Sequence, residues 1–400
     1  MRKWLYSAYM YLFLITLLGI LLRWKMVAPI FPGLQFMHLV HAHSHVAFLG
    51  WVYFLINAVI IRHCFPEGFN EKKSTRIYYF LLHVSVLGML ISFSYQGYGP
   101  LSIAFSTLHA FLSYYFAFQF FSHRKKKWPW YAKSFYQAAI WFNLLSSLGP
   151  WGLAIAGATG FGNTEINNFF IYYYLHLQYN GWFTFVILGM CYRFVSIEQT
   201  SQRNWAKWQF RLLAISVVPS YLSSTLWFFD HPIAVALGLA GAVLQFISIV
   251  MFLSLVAGPL WRQQNSLSLQ LLLGLSLISL SVKALLELFA AWPSLAYAVY
   301  ESRQVIIAYL HLTLLGFITS FLLFFTGKEF AVRNLAIPSA AFYITGTVGM
   351  IFLLFLAGFF QWLRWPMPQP IWLALLMTGA LSGFGMAGLF WDIHRGFRQV

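Results

Sequence analysis

From Ile77 to His123 the chain carries no Asp, Glu, Lys or Arg, and that one stretch decides which solvent the protein folds in. It is too long for a single helical crossing of a hydrocarbon core, which takes about 20 residues. The Gln96-Gly97-Tyr98-Gly99-Pro100 cluster inside it has the turn chemistry to divide it in two. Runs of this kind recur along all 400 residues, of which 60% are hydrophobic, 20% aromatic and 8% charged, a composition that belongs in lipid. The expected fold is all-α, a polytopic membrane protein forming one integral membrane domain over residues 1–400.

Cutting the chain at its charged and Pro/Gly-rich breaks predicts about twelve spans, at 4–23, 36–61, 77–95, 100–122, 135–156, 167–192, 209–229, 232–257, 267–290, 303–326, 335–361 and 370–391. The first follows Met1-Arg2-Lys3 in the manner of a signal peptide. It lacks a small-residue cleavage site and runs on into Arg23 and Lys25, so it reads as a membrane helix.

Lys and Arg fix the orientation, because cytoplasmic loops retain positive charge. With the N-terminus inside, twenty of the 25 basic residues fall on the inner side, including Lys72, Lys73, Arg76, Arg124 to Lys127, Arg203, Lys207, Arg211, Arg333 and Arg395. The outer side receives Arg23, Lys25, Arg303 and Arg364, and an even number of spans returns the C-terminus to the cytoplasm. The net charge of +16 thus reports topology in a cytoplasmic (inner) membrane and contact with anionic lipid, not nucleic acid. Cys64 and Cys191 fall at inner helix ends, where a disulfide is disfavoured. No C-x-x-C-H sequence is present, which excludes covalent c-type haem attachment.

Three separated stretches share a histidine followed five residues later by glycine and an aromatic residue: His45 to Gly50-Trp51, His176 to Gly181-Trp182, and His311 to Gly316-Phe317. The histidines lie 131 and 135 residues apart, which predicts three four-helix pseudo-repeats over approximately 1–133, 134–266 and 267–400. Counted from their outer ends, His45, His109, His176 and His311 sit at one depth, about 12–14 Å in. Imidazoles at membrane depth are costly without a partner, so a layer of them is a functional-site hypothesis. The competing reading gives each imidazole only a hydrogen bond across helices.

On the second span His38, His41 and His45 share one face and His43 points nearly opposite. The repeated glycines admit two readings, a gap for a flat macrocycle or close packing of a neighbouring helix. Lys283 and Glu287 stand one turn apart on the ninth span, and an i,i+4 ion pair near the interface is the expected reading.

Twelve spans with inside termini, three repeats of four, and histidines in the outer half of spans two, six and ten resemble the catalytic subunit of haem-copper oxidases and the related nitric oxide reductases. The resemblance is architectural and distant. It implies a haem-binding, respiratory-type protein for electron transfer or for reduction or binding of a diatomic gas, with an oxidoreductase activity of the oxygen or nitric oxide reductase type in view. It also implies a cytochrome or quinol electron donor.

Carried onto this sequence, the resemblance gives His45, or else His41, and His311 as ligands of a b-type haem, and Arg303 as an outer-face group for its propionates. Ligands for a metal, a copper or iron ion included, would be drawn from His45, His176, His311 and His109. The chain departs from the family at the tenth span, where Tyr309, His311 and Thr313 stand in line with a single histidine among them. It departs again at the seventh, where Phe210 to Phe229 has none, so the three-histidine copper site is incomplete. Two other classes stay open: a non-catalytic, nitric oxide-responsive haem or metal membrane protein, and a histidine-lined transition-metal transporter, although Met-x-x-Met and Cys-x-Cys motifs are absent.

Overall fold

The computed structural model describes residues 2–125, 130–195, 197, 199–264, 266–329 and 335–399. Lys126, Lys127 and Arg333 of the basic clusters lie outside the described residues. Every regular element within them is helical. We number these α1 (Arg2–Val27), α2 (Phe36–Cys64), α3 (Lys73–Gln96), α4 (Pro100–His123), α5 (Lys133–Thr159), α6 (164–194), α7 (Thr200–Tyr221), α8 (Pro232–Arg262), α9 (Leu267–Ala290), α10 (Pro293–Glu301), α11 (Arg303–Glu329), α12 (Ile337–Trp362) and α13 (Pro370–Gln399).

Among the described residues ten helices, α1 to α5, α8, α9 and α11 to α13, are long and apolar enough to cross a bilayer, which makes the chain a multi-pass helical membrane protein. Their outer faces are greasy, with Phe80, Ile91, Phe118, Phe352 and Phe384 among the exposed residues. The sixth and seventh expected spans are also helical, as α6 and α7, but lie outside that set of ten. Their sequences say why: α6 carries Asn167, Asn168, Gln178 and Asn180, and α7 opens with Arg203, Lys207 and Arg211. α7 also stops at Tyr221, well short of the expected Phe229, and tightens into a 3₁₀ turn over Leu222–Thr225. Pro219, which has no amide hydrogen to continue the ladder, sits in its last turn. The short α10, begun by Pro293 at its first position, is an element the span count did not anticipate.

The helices gather into two compact units: residues 1–127, 334–350 and 368–400 form unit 1, and 128–333 with 351–367 form unit 2. In unit 1, α2 runs against α1 and α3, α3 lies along α4, and α1 packs on α13. In unit 2, α5 lies along α6, α7 pairs with α8, α8 with α9, and α9 with α11. The inner helices are those bearing the repeated motif. Of the most apolar window of α2, 83% is buried, and α6 is buried without a break from His176 to Tyr192.

Candidate functional site

Each of the three motif histidines is the last residue of an α-helical segment, and a π-helical segment begins at the next residue. The π segments span Val46–Val52, Leu177–Phe183 and Leu312–Thr319. The five-residue interval from histidine to glycine matches the i→i+5 bonding period of a π-helix. Such segments are rare and concentrate at functional sites, because the wider turn displaces the residues around it and releases backbone groups.

The glycines serve close packing, and the neighbour is equivalent in each case. A Cβ on Gly50 would lie 3.0 Å from the Tyr11 ring of α1 and 3.1 Å from Val86 of α3. On Gly181 it would come within 2.5 Å of Phe142 Cβ of α5, and on Gly316 within 2.5 Å of Ser279 Oγ of α9. Thus α1, α5 and α9, the first helices of the three thirds, press on the three π segments. Of the two readings of these glycines, the gap is filled by a neighbouring helix.

The ring nitrogens of the three histidines are used in two ways. His45 Nδ1 donates to the His41 carbonyl at 2.8 Å, and His311 Nδ1 donates to the Ile307 carbonyl at 2.7 Å, each one turn back on its own helix. A carbonyl only accepts, so the neutral ring keeps its proton on Nδ1 and its lone pair on Nε2. This is the posture that a second-layer carbonyl imposes on an imidazole that ligates through Nε2. The His45 ring stacks on Phe93 at 4.1 Å and meets Tyr98 edge-on, and His41 also packs on Tyr98 at 4.7 Å.

His176 is the reverse. Its Nε2 reaches across to the Val217 carbonyl at 2.8 Å, beside the Pro219 break in α7, and its Nδ1 accepts from Asn180 Nδ2 at 3.2 Å. Both nitrogens are occupied, so metal ligation by His176 requires breaking one of these bonds.

Asn180 belongs to a buried polar network inside unit 2. Its Oδ1 accepts from Lys283 Nζ and, at 3.2 Å, from Gln245 Nε2, while its Nδ2 also donates to Glu287 Oε1 at 2.8 Å. Glu287 accepts further from Lys283 (2.8 Å), Gln245 (2.6 Å) and the Tyr309 hydroxyl (2.6 Å). Ser220 Oγ donates to Gln245 Oε1 at 3.0 Å. Because an ammonium only donates, Lys283 fixes which end of the Asn180 amide faces it, and that in turn makes His176 Nδ1 an acceptor. The Lys283–Glu287 pair expected near the interface does form, but its side chains are 2% and 17% exposed, so it is an interior pair.

Other histidines sort by the same test. His83 spends both nitrogens on Ser7 (2.8 Å) and Tyr11 (2.7 Å), in keeping with a structural role, and His43 Nδ1 holds the Ile15 carbonyl of α1 at 3.0 Å. His109 is buried on α4, and Arg303 is exposed at the start of α11. Among the described residues no group of three or more His, Cys, Asp or Glu side chains converges to hold a metal ion. Sequence reasoning missed Asn180, Gln245 and Ser220. The available signal was uncharged polar residues at the centres of otherwise apolar helices. No protein-family model matches the chain, and no curated protein matches its sequence.

Proposed function

We propose that this chain is a haem-binding membrane protein of the respiratory type, serving electron transfer or the binding or reduction of a diatomic gas, with twelve spans, both termini cytoplasmic and residence in an inner membrane. The observation that carries the reading is the shared posture of His45 and His311, each with Nδ1 tied to the carbonyl four residues back, so that Nε2 is the lone-pair nitrogen. Their donor type fits a b-type haem, which binds through imidazole nitrogen without a cysteine link. His45 on α2 and His311 on α11 are each proposed as a haem ligand. When bound, haem supplies a one-electron iron couple and a coordination position for oxygen or nitric oxide. The protein's own contribution is to fix the imidazole tautomer and, through the π turns, to aim the rings. Electrons are proposed to come from a quinol or a cytochrome partner.

Within this class the hydrogen bonding of His176 favours a haem protein that carries electrons or binds gas without a histidine-ligated copper at that position. The test is the visible spectrum of the full chain purified after expression with added haem precursor. A Soret band in the wild type, lost in His45→Ala and His311→Ala and kept in His176→Ala, is the expected pattern. Absence of any Soret band in the wild type rejects the reading.

A further inference from the structure

In unit 2, α7 carries Arg203, Lys207 and Arg211 at four-residue intervals, and all three are exposed. Successive members of such a row stand about 6 Å apart along the axis and share one side of the helix. One turn further on, the same side becomes apolar with Ile215 and Val218, which are also exposed. The pairing of α7 with α8 sets the depth of the row. Trp205 Nε1 donates to the Met251 carbonyl at 3.1 Å, and Gln209 Nε2 donates to Ser248 Oγ at 2.8 Å. Arg211, two residues past Gln209, therefore stands level with the middle of α8, a 31-residue helix long and apolar enough to cross a bilayer. That is about 20 Å from the Arg262 end of α8 at the usual helical rise. At this level α8 exposes Ile247 and Val250.

Cations this far along a spanning helix, beside apolar surface, are costly without an anion to meet them. Neither Arg203 nor Arg211 is paired with a carboxylate among the described residues. Arg203 Nε reaches the Ile197 carbonyl at 3.4 Å, and the Arg211 guanidinium lies 5.1 Å over the ring of Trp208. Trp205 and Trp208 are themselves exposed, and indole is the ring that favours the boundary between headgroups and acyl chains.

We infer that this row is a binding site for an anionic phospholipid, with the phosphate on Lys207 and Arg211 and an acyl chain along Ile215 and Val218. Charge complementarity selects the headgroup, since a guanidinium presents a fork of donors that matches phosphate oxygens. The apolar continuation selects an amphiphile, because inorganic phosphate would meet the cations and leave Ile215 and Val218 bare. A zwitterionic lipid brings its own cation and leaves the row uncompensated. The site differs from the general attraction of basic loops to a charged leaflet in lying along a helix flank and taking a fixed number of lipids. The inference uses no part of the haem reading.

The experiment uses the full chain, delipidated in detergent and titrated with phosphatidylglycerol under native mass spectrometry, with phosphatidylcholine and inorganic phosphate as parallel probes. A phosphatidylglycerol carrying a photoreactive group on its acyl chain maps the contact in reconstituted vesicles. One tight phosphatidylglycerol per chain is expected, labelling α7 at Ile215 to Val218. Its affinity should fall by roughly 100-fold in the triple variant Arg203→Gln, Lys207→Gln, Arg211→Gln, the scale for three cations at a membrane surface. The charge-matched triple Lys72→Gln, Lys73→Gln, Arg76→Gln, at an exposed basic cluster in unit 1, should keep it. Equal loss in both triples, equal binding of phosphatidylcholine, or displacement of the lipid by inorganic phosphate would overturn the inference. So would a dimer of the wild type that the first triple abolishes, since the row would then face a second copy of the chain. Should that triple fail to fold, labelling of the wild type decides, and label confined to other helices overturns the site.

Discussion

His45 in unit 1 and His176 in unit 2 begin from the same short pattern and the same backbone, yet their rings do opposite things. Both end an α-helical segment, both precede a π segment, and both have a glycine five residues on, pressed by the first helix of its third. At His45 Nδ1 turns back to donate to a carbonyl of its own helix, and Nε2 keeps the lone pair. At His176 a proline-broken neighbour and a buried amide take both nitrogens. The motif therefore specifies backbone shape, and the surroundings specify chemistry.

The largest effect that would sharpen this contrast comes from the pair that sets the Asn180 amide. Glu287→Gln leaves Lys283 buried without its counter-charge, and we expect a loss of about 3–5 kcal/mol in detergent denaturation. The double variant Lys283→Met, Glu287→Gln should recover much of it, and a single variant as stable as wild type would break the network account.

Next in size are the glycines. Gly181→Ala forces a Cβ against Phe142 Cβ and should cost about 1–3 kcal/mol. Gly50→Ala, with contacts at 3.0 and 3.1 Å, should cost less by thermal unfolding, and the reverse order would contradict equivalent packing of the π segments. Smaller still is Ser220→Ala, which removes one neutral donor to Gln245 and should change stability by about 0.6 kcal/mol, the usual scale for such bonds in membranes.

Much of the architecture was legible because charge is so scarce: the breaks at Gln96 to Pro100 and at Arg262, and the basic loops, mark helix ends within a few residues. The histidine–glycine–aromatic echo was legible too, but not the π turns beneath it, since a single wider turn leaves no apolar periodicity of its own. Lys283 and Glu287 announced themselves as an i,i+4 pair. Their burial did not, because it depends on α8 and α11 closing over α9 with Gln245 and Tyr309. Asn180 was invisible for the same reason: its partners lie 65, 103 and 107 residues away. The early end of α7 hinged on Pro219, whose effect is local and could have been read.

The most direct test of the central claim, one motif with two opposite uses of the ring, is ¹⁵N NMR of histidine-labelled, haem-free protein, with resonances assigned by single His→Gln variants. The account predicts that His45 and His311 carry the proton on Nδ1 and His176 carries it on Nε2. The same tautomer at all three positions would contradict it.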